Sequence, residues 1–271
     1  MISAQEKLKT SNNELKYVCV GLDPDQSKLP AHLKSSENSI LKFNQEIIDS
    51  TKDLAVAYKL NFAFYEKEGI SGFEILKKTI EFIPQNILII GDAKRGDIGN
   101  TARMYAKSIY DYFNCDAATV NPYMGGDSIS PFLEYPEKIN FILVLTSNPG
   151  ADDLEKLKLE DGTFVFQNVC KKVEQLNKNN NCGIVFGATK LKELEENFKC
   201  FTTFPVLLPG IGAQGGDLGG VVSAFKKNNK KDFLINVSRG ILYKSNGADF
   251  AEAARNELIS MNTKIQEILK S

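Results

Sequence analysis

Ile87-Leu88-Ile89-Ile90-Gly91-Asp92-Ala93-Lys94-Arg95-Gly96-Asp97 is a short run of branched apolar residues that breaks abruptly into alternating charge. The run is apolar on both faces, which suits a strand covered by helices on either side; a half-exposed antiparallel strand would alternate. Comparable runs recur at residues 17–22, 55–60, 117–120, 141–145, 183–186, 206–208 and 233–237, eight in all with 87–90. Most of the intervening segments read as helices. Ala102, Tyr105, Ala106, Ile109, Tyr112 and Phe113 share one helical face, as do Phe250, Ala251, Ala254, Leu258, Met261, Ile265 and Ile268. Strand and helix thus alternate through the whole chain with no linker and no sequence repeat. This pattern predicts an α/β fold, a single closed (β/α)8 TIM barrel over residues 1–271, with an open doubly wound sheet as the runner-up.

The composition agrees with one large core: 271 residues, 42% hydrophobic and 25% charged. Lys plus Arg number 33 against 34 Asp plus Glu, so no basic field exists to hold nucleic acid or an anionic membrane. An anionic ligand must find a local site. No apolar run approaches the roughly 20 residues of a spanning helix, and residues 1–16 are polar without a signal-peptide core. A cytoplasmic protein is expected. The five cysteines are odd in number and contain no C-x-x-C, which argues against a disulfide framework or a cysteine zinc site. The single histidine, His32, has no companion for a triad or a metal cluster and is assigned no role. Chemistry must then rest on Lys, Asp, Glu, Tyr, Ser or Arg.

In a barrel of this kind the chemistry sits at the carboxyl ends of the strands. The first run ends in Val20-Gly21-Leu22-Asp23, the second in Tyr58-Lys59-Leu60-Asn61 and the third in the charged stretch from Asp92 to Asp97. Three adjacent strands thereby deliver carboxylates and lysines to one rim. Asp92 and Lys94 stand two apart and can point the same way, with Ala93 turned aside. Taken singly, Asp97 reads as an N-cap of the following helix, and the cluster could be a structural ion pair. Several charges converging on one desolvated rim are nevertheless costly unless they pair and serve a site. A carboxylate beside Lys94 would keep it protonated and aimed, able to deliver a proton to a carbanion formed next to it.

The seventh run leads into Pro209-Gly210-Ile211-Gly212-Ala213-Gln214-Gly215-Gly216-Asp217 and the eighth into Asn236-Val237-Ser238-Arg239-Gly240. Loops after strands seven and eight commonly cradle a phosphate, with glycine-exposed N–H groups and an arginine to pair the oxygens. The same glycines match the dinucleotide fingerprint G-x-G-x-x-G. That reading fails because the motif comes late and the next strand ends in Asn236, Ser238 and Arg239 rather than in an acid. The glycine-rich segment could close over a ligand, with Gln214 bridging phosphate and ring. Segments 24–39 and 148–162 read as long polar loops over the same face. Ser147, which could hydrogen-bond a planar base, and Asn121 are lesser candidates, each taken singly a turn or cap residue; 226–231 reads as a solvated helix end, and the Asp152–Asp153 pair, in the loop with Glu155, as solvated.

Asp23, Lys59, the Asp92-x-Lys94-x-x-Asp97 segment, Ser147 before Asn148-Pro149-Gly150, the Pro209–Gln214 stretch and Arg239 follow one another from the first strand to the eighth. In that order they resemble the orotidine 5′-phosphate decarboxylase family. The stretches from Lys59 to Glu66 and from Gly91 to Thr101 are similar to its longer bacterial-type branch. The resemblance implies decarboxylation of orotidine 5′-phosphate to uridine 5′-phosphate in pyrimidine nucleotide biosynthesis, without metal or cofactor. It implies that Lys94 protonates C6 of the pyrimidine, that Asp92 lies near the departing carboxylate, and that Lys59 and Asp97 complete a charge chain. Asp97 and Thr101 would cross from a neighbouring subunit, making a homodimer with shared active sites. Asp23 would bind ribose hydroxyls with Thr101 assisting, Ser147 the base, and Gln214 with Arg239 the phosphate. Ser238 departs from the glycine that many members place before the arginine. Two other readings stand beside this one: a Mg2+-dependent sugar-phosphate lyase or aldolase on the same barrel, and a non-catalytic phosphoribosyl-ligand binder.

Overall fold

The computed structural model describes residues 2–212 and 215–271. Its eight strands are β1 (Val18–Gly21), β2 (Ala57–Asn61), β3 (Leu88–Arg95), β4 (Ala117–Val120), β5 (Ile139–Leu145), β6 (Cys182–Phe186), β7 (Val206–Pro209) and β8 (Phe233–Val237). They pair in parallel in chain order, and β1 closes on β8. The open-sheet alternative is thereby excluded.

Side chains alternate between two cores, as strand geometry requires. Cys19, Ala57, Ile90, Ala117, Phe141, Val185, Leu207 and Leu234 fill the barrel interior. Val18, Val20, Tyr58, Ile89, Ala118, Ile142, Ile184, Leu208 and Ile235 face outward under the helices. Gly183 is needed in the interior because a Cβ there would lie 2.7 Å from the Phe141 ring. A helix at Ala4–Asn13, opened by a Ser3–Glu6 capping box, lays Ala4 and Leu8 against the interior core and so closes the N-terminal mouth. The other mouth remains open to a ligand.

Towards that open mouth the interior turns polar, with Lys59, Asp92 and Thr119 all buried. β3 runs on through Arg95, past the end of its apolar run, and bulges against β4: Gly91 pairs with Ala118 and Arg95 with Val120, so Asp92, Ala93 and Lys94 stand opposite Thr119 alone.

The helical face expected from Ala102 to Phe113 is corrected in part. The helix Gly99–Lys107 passes into a π-turn at Ser108–Tyr112. The extra residue per turn brings Tyr110 inward and leaves Tyr112 on the surface, and Tyr105, on the helix before the turn, is also exposed. The last helix, Phe250–Lys270, buries Phe250, Ala254, Leu258, Met261 and Ile265 at the expected spacing. The loops after β1 and β5 are locally folded, with a 3-10 turn at Gln26–Lys28, helices at Ala31–Lys34 and Ala151–Leu154, and an antiparallel bridge between Lys158 and Phe164. All five cysteines are free, and four are buried. No helix among the described residues is long and apolar enough to cross a membrane.

Candidate active site

A cavity of about 570 Å3 opens at the carboxyl ends of the strands, within the range typical of small-molecule sites. One wall is charged. Lys59, on β2, places its Nζ 2.7 Å from Asp92 Oδ2 and 3.8 Å from Asp23 Oδ1. Lys94 Nζ lies 2.6 Å from Asp92 Oδ1. The order across the wall is therefore Asp23, Lys59, Asp92, Lys94, with alternating sign. The Asn61 N–H donates to Asp23 Oδ1 at 3.1 Å and fixes the end of the row.

Burial disfavours the ionised form of Asp92, but the ammonium groups of Lys59 and Lys94 outweigh it and hold the carboxyl well below the usual carboxylate range. Burial opposes the charge on Lys59 as well, and Asp23 and Asp92 reverse the outcome, pushing Lys59 above the ordinary lysine value. Lys94 differs from its neighbours in exposure: its side chain is 48% accessible against 5% for Lys59 and 8% for Asp92. The outer ammonium faces the cavity while the inner pair is sealed beneath it.

Lys94 also has a left-handed backbone, φ +48°, which costs a non-glycine residue on the order of 1 to 3 kcal/mol and is met chiefly where a site demands it. The bulge imposes this turn and aims the side chain back at Asp92. Arg95, next along, turns away to pair with Glu66 and lies over the Tyr105 ring.

Opposite the charges, Leu143, Val185, Leu207 and Ile211 form an apolar wall, with Ser147 and Thr146 at its edge. A flat ring can lie against that wall with one edge on the charges. The third side is the lip after β7 and β8, where Pro209, Gly210, Ser238, Arg239 and Gly240 line the cavity. Gly210 and Gly212 have φ of +110° and +78°, a left-handed backbone that glycine adopts at little steric cost and that lets a ligand approach the main chain closely. Gln214 lies outside the described residues.

The structure therefore gathers Asp23, Lys59, Asp92, Lys94, Ser147 and Arg239 around one cavity. Asp97 and Thr101 do not line it in their own chain. Thr101 is exposed on the helix Gly99–Lys107. Asp97 is not the helix cap expected of it, because Ile98 holds that position and Asp97 Oδ1 instead accepts the Ile98 N–H at 2.8 Å. Asn121 is a turn residue, its Oδ1 accepting the Tyr123 N–H.

The expected solvation of 226–231 is overturned at Lys230, and Glu155 has a role that the sequence reading did not assign. Glu155 accepts the N–H and O–H of Thr146 at 2.6 and 2.8 Å, tying the loop after β5 to the cavity edge. Lys230 is buried, bonded to Asp232 and to the Thr202 carbonyl.

Sequence reasoning passed over Asn61, Asn236 and Tyr243, which also line the cavity, and Thr119, which braces it. The available signal was a polar residue on the inward face of an apolar run, two places from an assigned one in the case of Asn61 after Lys59.

Residues 16–254 match the sequence profile of the Orotidine 5'-phosphate decarboxylase / HUMPS family. The chain belongs to that family. Among relatives of this decarboxylase family, a protein of Herpetosiphon aurantiacus named orotidine 5′-phosphate decarboxylase is 47% identical over 91% of this chain and 90% of its own. One of the same name from Dehalococcoides mccartyi is 44% identical over 98% of both chains. The solved structure of Leishmania donovani OMP decarboxylase superposes with a TM-score of 0.82 at 34% identity, covering 97% of this chain and 99% of that one.

Proposed function

We propose that the protein is an orotidine 5′-phosphate decarboxylase of pyrimidine nucleotide biosynthesis, its chain forming one barrel domain. The observation that carries the proposal is Lys94, held 2.6 Å from a buried carboxylate yet facing a cavity with an apolar far wall. The C6–carboxylate bond of the substrate breaks, carbon dioxide leaves and the electron pair stays on C6. Lys94 Nζ donates its proton there to give uridine 5′-phosphate, and solvent restores the proton to Lys94. Asp92 stands beside the departing carboxylate. Lys59 neutralises Asp92 from behind and keeps it charged.

Asp23 takes the ribose hydroxyls, Ser147 the base, and Arg239 with Gln214 the phosphate. Binding energy from the phosphate, remote from C6, goes into positioning the ring for the transition state. No metal or organic cofactor takes part. The alternative lyase chemistry needs acidic metal ligands at the end of β2, where this chain has Lys59 and Asn61.

Asp97 and Thr101 complete the site from the second subunit of a homodimer. The support is exposed apolar surface on the segment that carries them, at Ile98, Met104 and Tyr105, and on the loop after β4, at Tyr123 and Met124, with Tyr123 exposed by 75%. Mixing inactive Lys94→Ala and Asp97→Ala homodimers under exchange should restore activity through hybrid sites. Failure to do so would remove the shared site. The proposed location is the cytoplasm.

The deciding experiment follows the absorbance loss of orotidine 5′-phosphate with the wild type and Lys94→Ala, each with and without chelator. A chelator-insensitive signal that disappears in the variant is expected. Chelator-sensitive turnover would favour the lyase, and tight uridine 5′-phosphate binding without consumption would favour a mere binder.

A further inference from the structure

Thr119 is 1% exposed and is the inward-facing polar residue of β4. Its neighbours are Ala117 in the interior core, and Ala118 and Val120 beneath the helices. A valine would fill the same volume. The hydroxyl, however, makes two bonds that no apolar side chain can: it donates to Asp92 Oδ1 at 2.9 Å and accepts the Lys94 N–H at 2.9 Å.

These bonds join the two ends of the bulge. Because Asp92, Ala93 and Lys94 stand opposite Thr119 alone, the regular ladder between β3 and β4 is interrupted there. The Lys94 N–H finds its acceptor in a side chain instead. The same oxygen touches the carboxylate oxygen that receives Lys94 Nζ. One hydroxyl thus fixes both the left-handed backbone that launches the Lys94 side chain and the acceptor at which that side chain ends.

We infer that Thr119 is a positioning residue for the proton donor: it holds Lys94 at the reacting carbon without touching substrate. This inference rests on the decarboxylase reading and deepens it. Thr119 governs the chemical step and not the capture of the nucleotide, whose ribose and phosphate fall to groups that follow β1, β7 and β8. Freed from Thr119, Lys94 can relax its positive φ, and its ammonium then spends less time where the carbanion forms.

The test compares wild type, Thr119→Val and Thr119→Ser. Thr119→Val should lower kcat by about 10- to 100-fold, the penalty expected for a small misplacement of a reacting group. KM and the affinity for uridine 5′-phosphate should stay within about threefold, since their contacts are untouched. Thr119→Ser, which keeps the hydroxyl, should recover most of the turnover. Wild-type kcat in Thr119→Val, an equal fall in Thr119→Ser, or a KM that rises in step with the loss would each overturn the inference. Should Thr119→Val fail to fold, Thr119→Ala replaces it under the same criteria. Crystal structures of wild type and variant give a reading independent of turnover: Lys94 should leave its left-handed conformation in the variant. If wild type itself does not consume orotidine 5′-phosphate, the functional reading fails, and the position of Lys94 in the two crystals still decides the role of Thr119.

Discussion

Lys59 Nζ and Asp92 Oδ2 meet at 2.7 Å from adjacent strands of the barrel, with both side chains almost wholly shut off from solvent. Lys94 also reaches Asp92 and Asp23 also faces Lys59, yet this is the most deeply buried contact of the row, and either charge that loses it is disfavoured at that depth. Lys59→Met should therefore destabilise the fold by about 3 to 5 kcal/mol in urea unfolding at neutral pH, the usual result of removing one member of a buried pair. The folded pKa of Asp92 is depressed, so its contribution is complete above the unfolded value of about 4 and is lost as pH falls through the lower folded one. That of Lys59 is raised, so its contribution is complete below about 10.4 and is lost as pH climbs through the higher folded value. The stability gap between wild type and Lys59→Met should accordingly be flat across the neutral range and shrink at both extremes. Equal stability at neutral pH would show that the pair contributes nothing.

Lys94 stands at the exposed end of the same row, so its removal should spare the fold and the binding of product. Lys94→Ala should lower kcat by at least about 100- to 10,000-fold, the usual share of a positioned proton donor, while calorimetry finds uridine 5′-phosphate affinity within a few-fold. A variant that still turns over at the wild-type rate would place the proton elsewhere.

The barrel was legible because its interior and exterior faces are both apolar, so each strand announces itself as a short uninterrupted run whatever its partners. The rim charges were legible because β3 and β2 carry them at strand ends, where side-chain alternation alone places Lys59, Asp92 and Lys94. What escaped depends on contacts distant in sequence. Thr119 bonds residues more than twenty places earlier, and a lone threonine in an apolar run has no local mark to separate it from valine. The π-turn at Ser108–Tyr112 shifted the buried tyrosine from 112 to 110, which a fixed 3.6-residue period cannot register. Lys230 looked like surface charge and Glu155 drew no assignment, because their partners, Asp232 and Thr146, become neighbours only through loop geometry.

Glu155 has a functional consequence through Thr146, which it grips by two hydrogen bonds beside Ser147. Glu155→Ala should loosen this edge of the cavity and raise KM for orotidine 5′-phosphate about fivefold, matching the loss of about 1 kcal/mol for a hydrogen bond, with kcat changed less. Glu155→Gln keeps an acceptor for the Thr146 N–H and should fall in between. An unchanged KM in Glu155→Ala would show that the loop after β5 holds its shape unaided.

Arg239 sits at the cavity lip directly after β8, exposed, and lines the same cavity as the turned backbone of Gly210. Hydrogen bonds to charged groups contribute about 1.5 to 3 kcal/mol each, so Arg239→Ala should weaken uridine 5′-phosphate by about 10- to 100-fold. Uridine lacks the phosphate, and its weaker affinity should not change. The wild-type preference for nucleotide over nucleoside should also decline as salt is added, since an exposed guanidinium is screened, and this salt dependence should be largely absent in the variant. Calorimetric titrations of both ligands at two ionic strengths separate the possibilities. If uridine and uridine 5′-phosphate lose affinity equally, Arg239 shapes the pocket instead of reading the phosphate, and the anion must be held by Gln214 and the backbone N–H groups of the β7 and β8 loops.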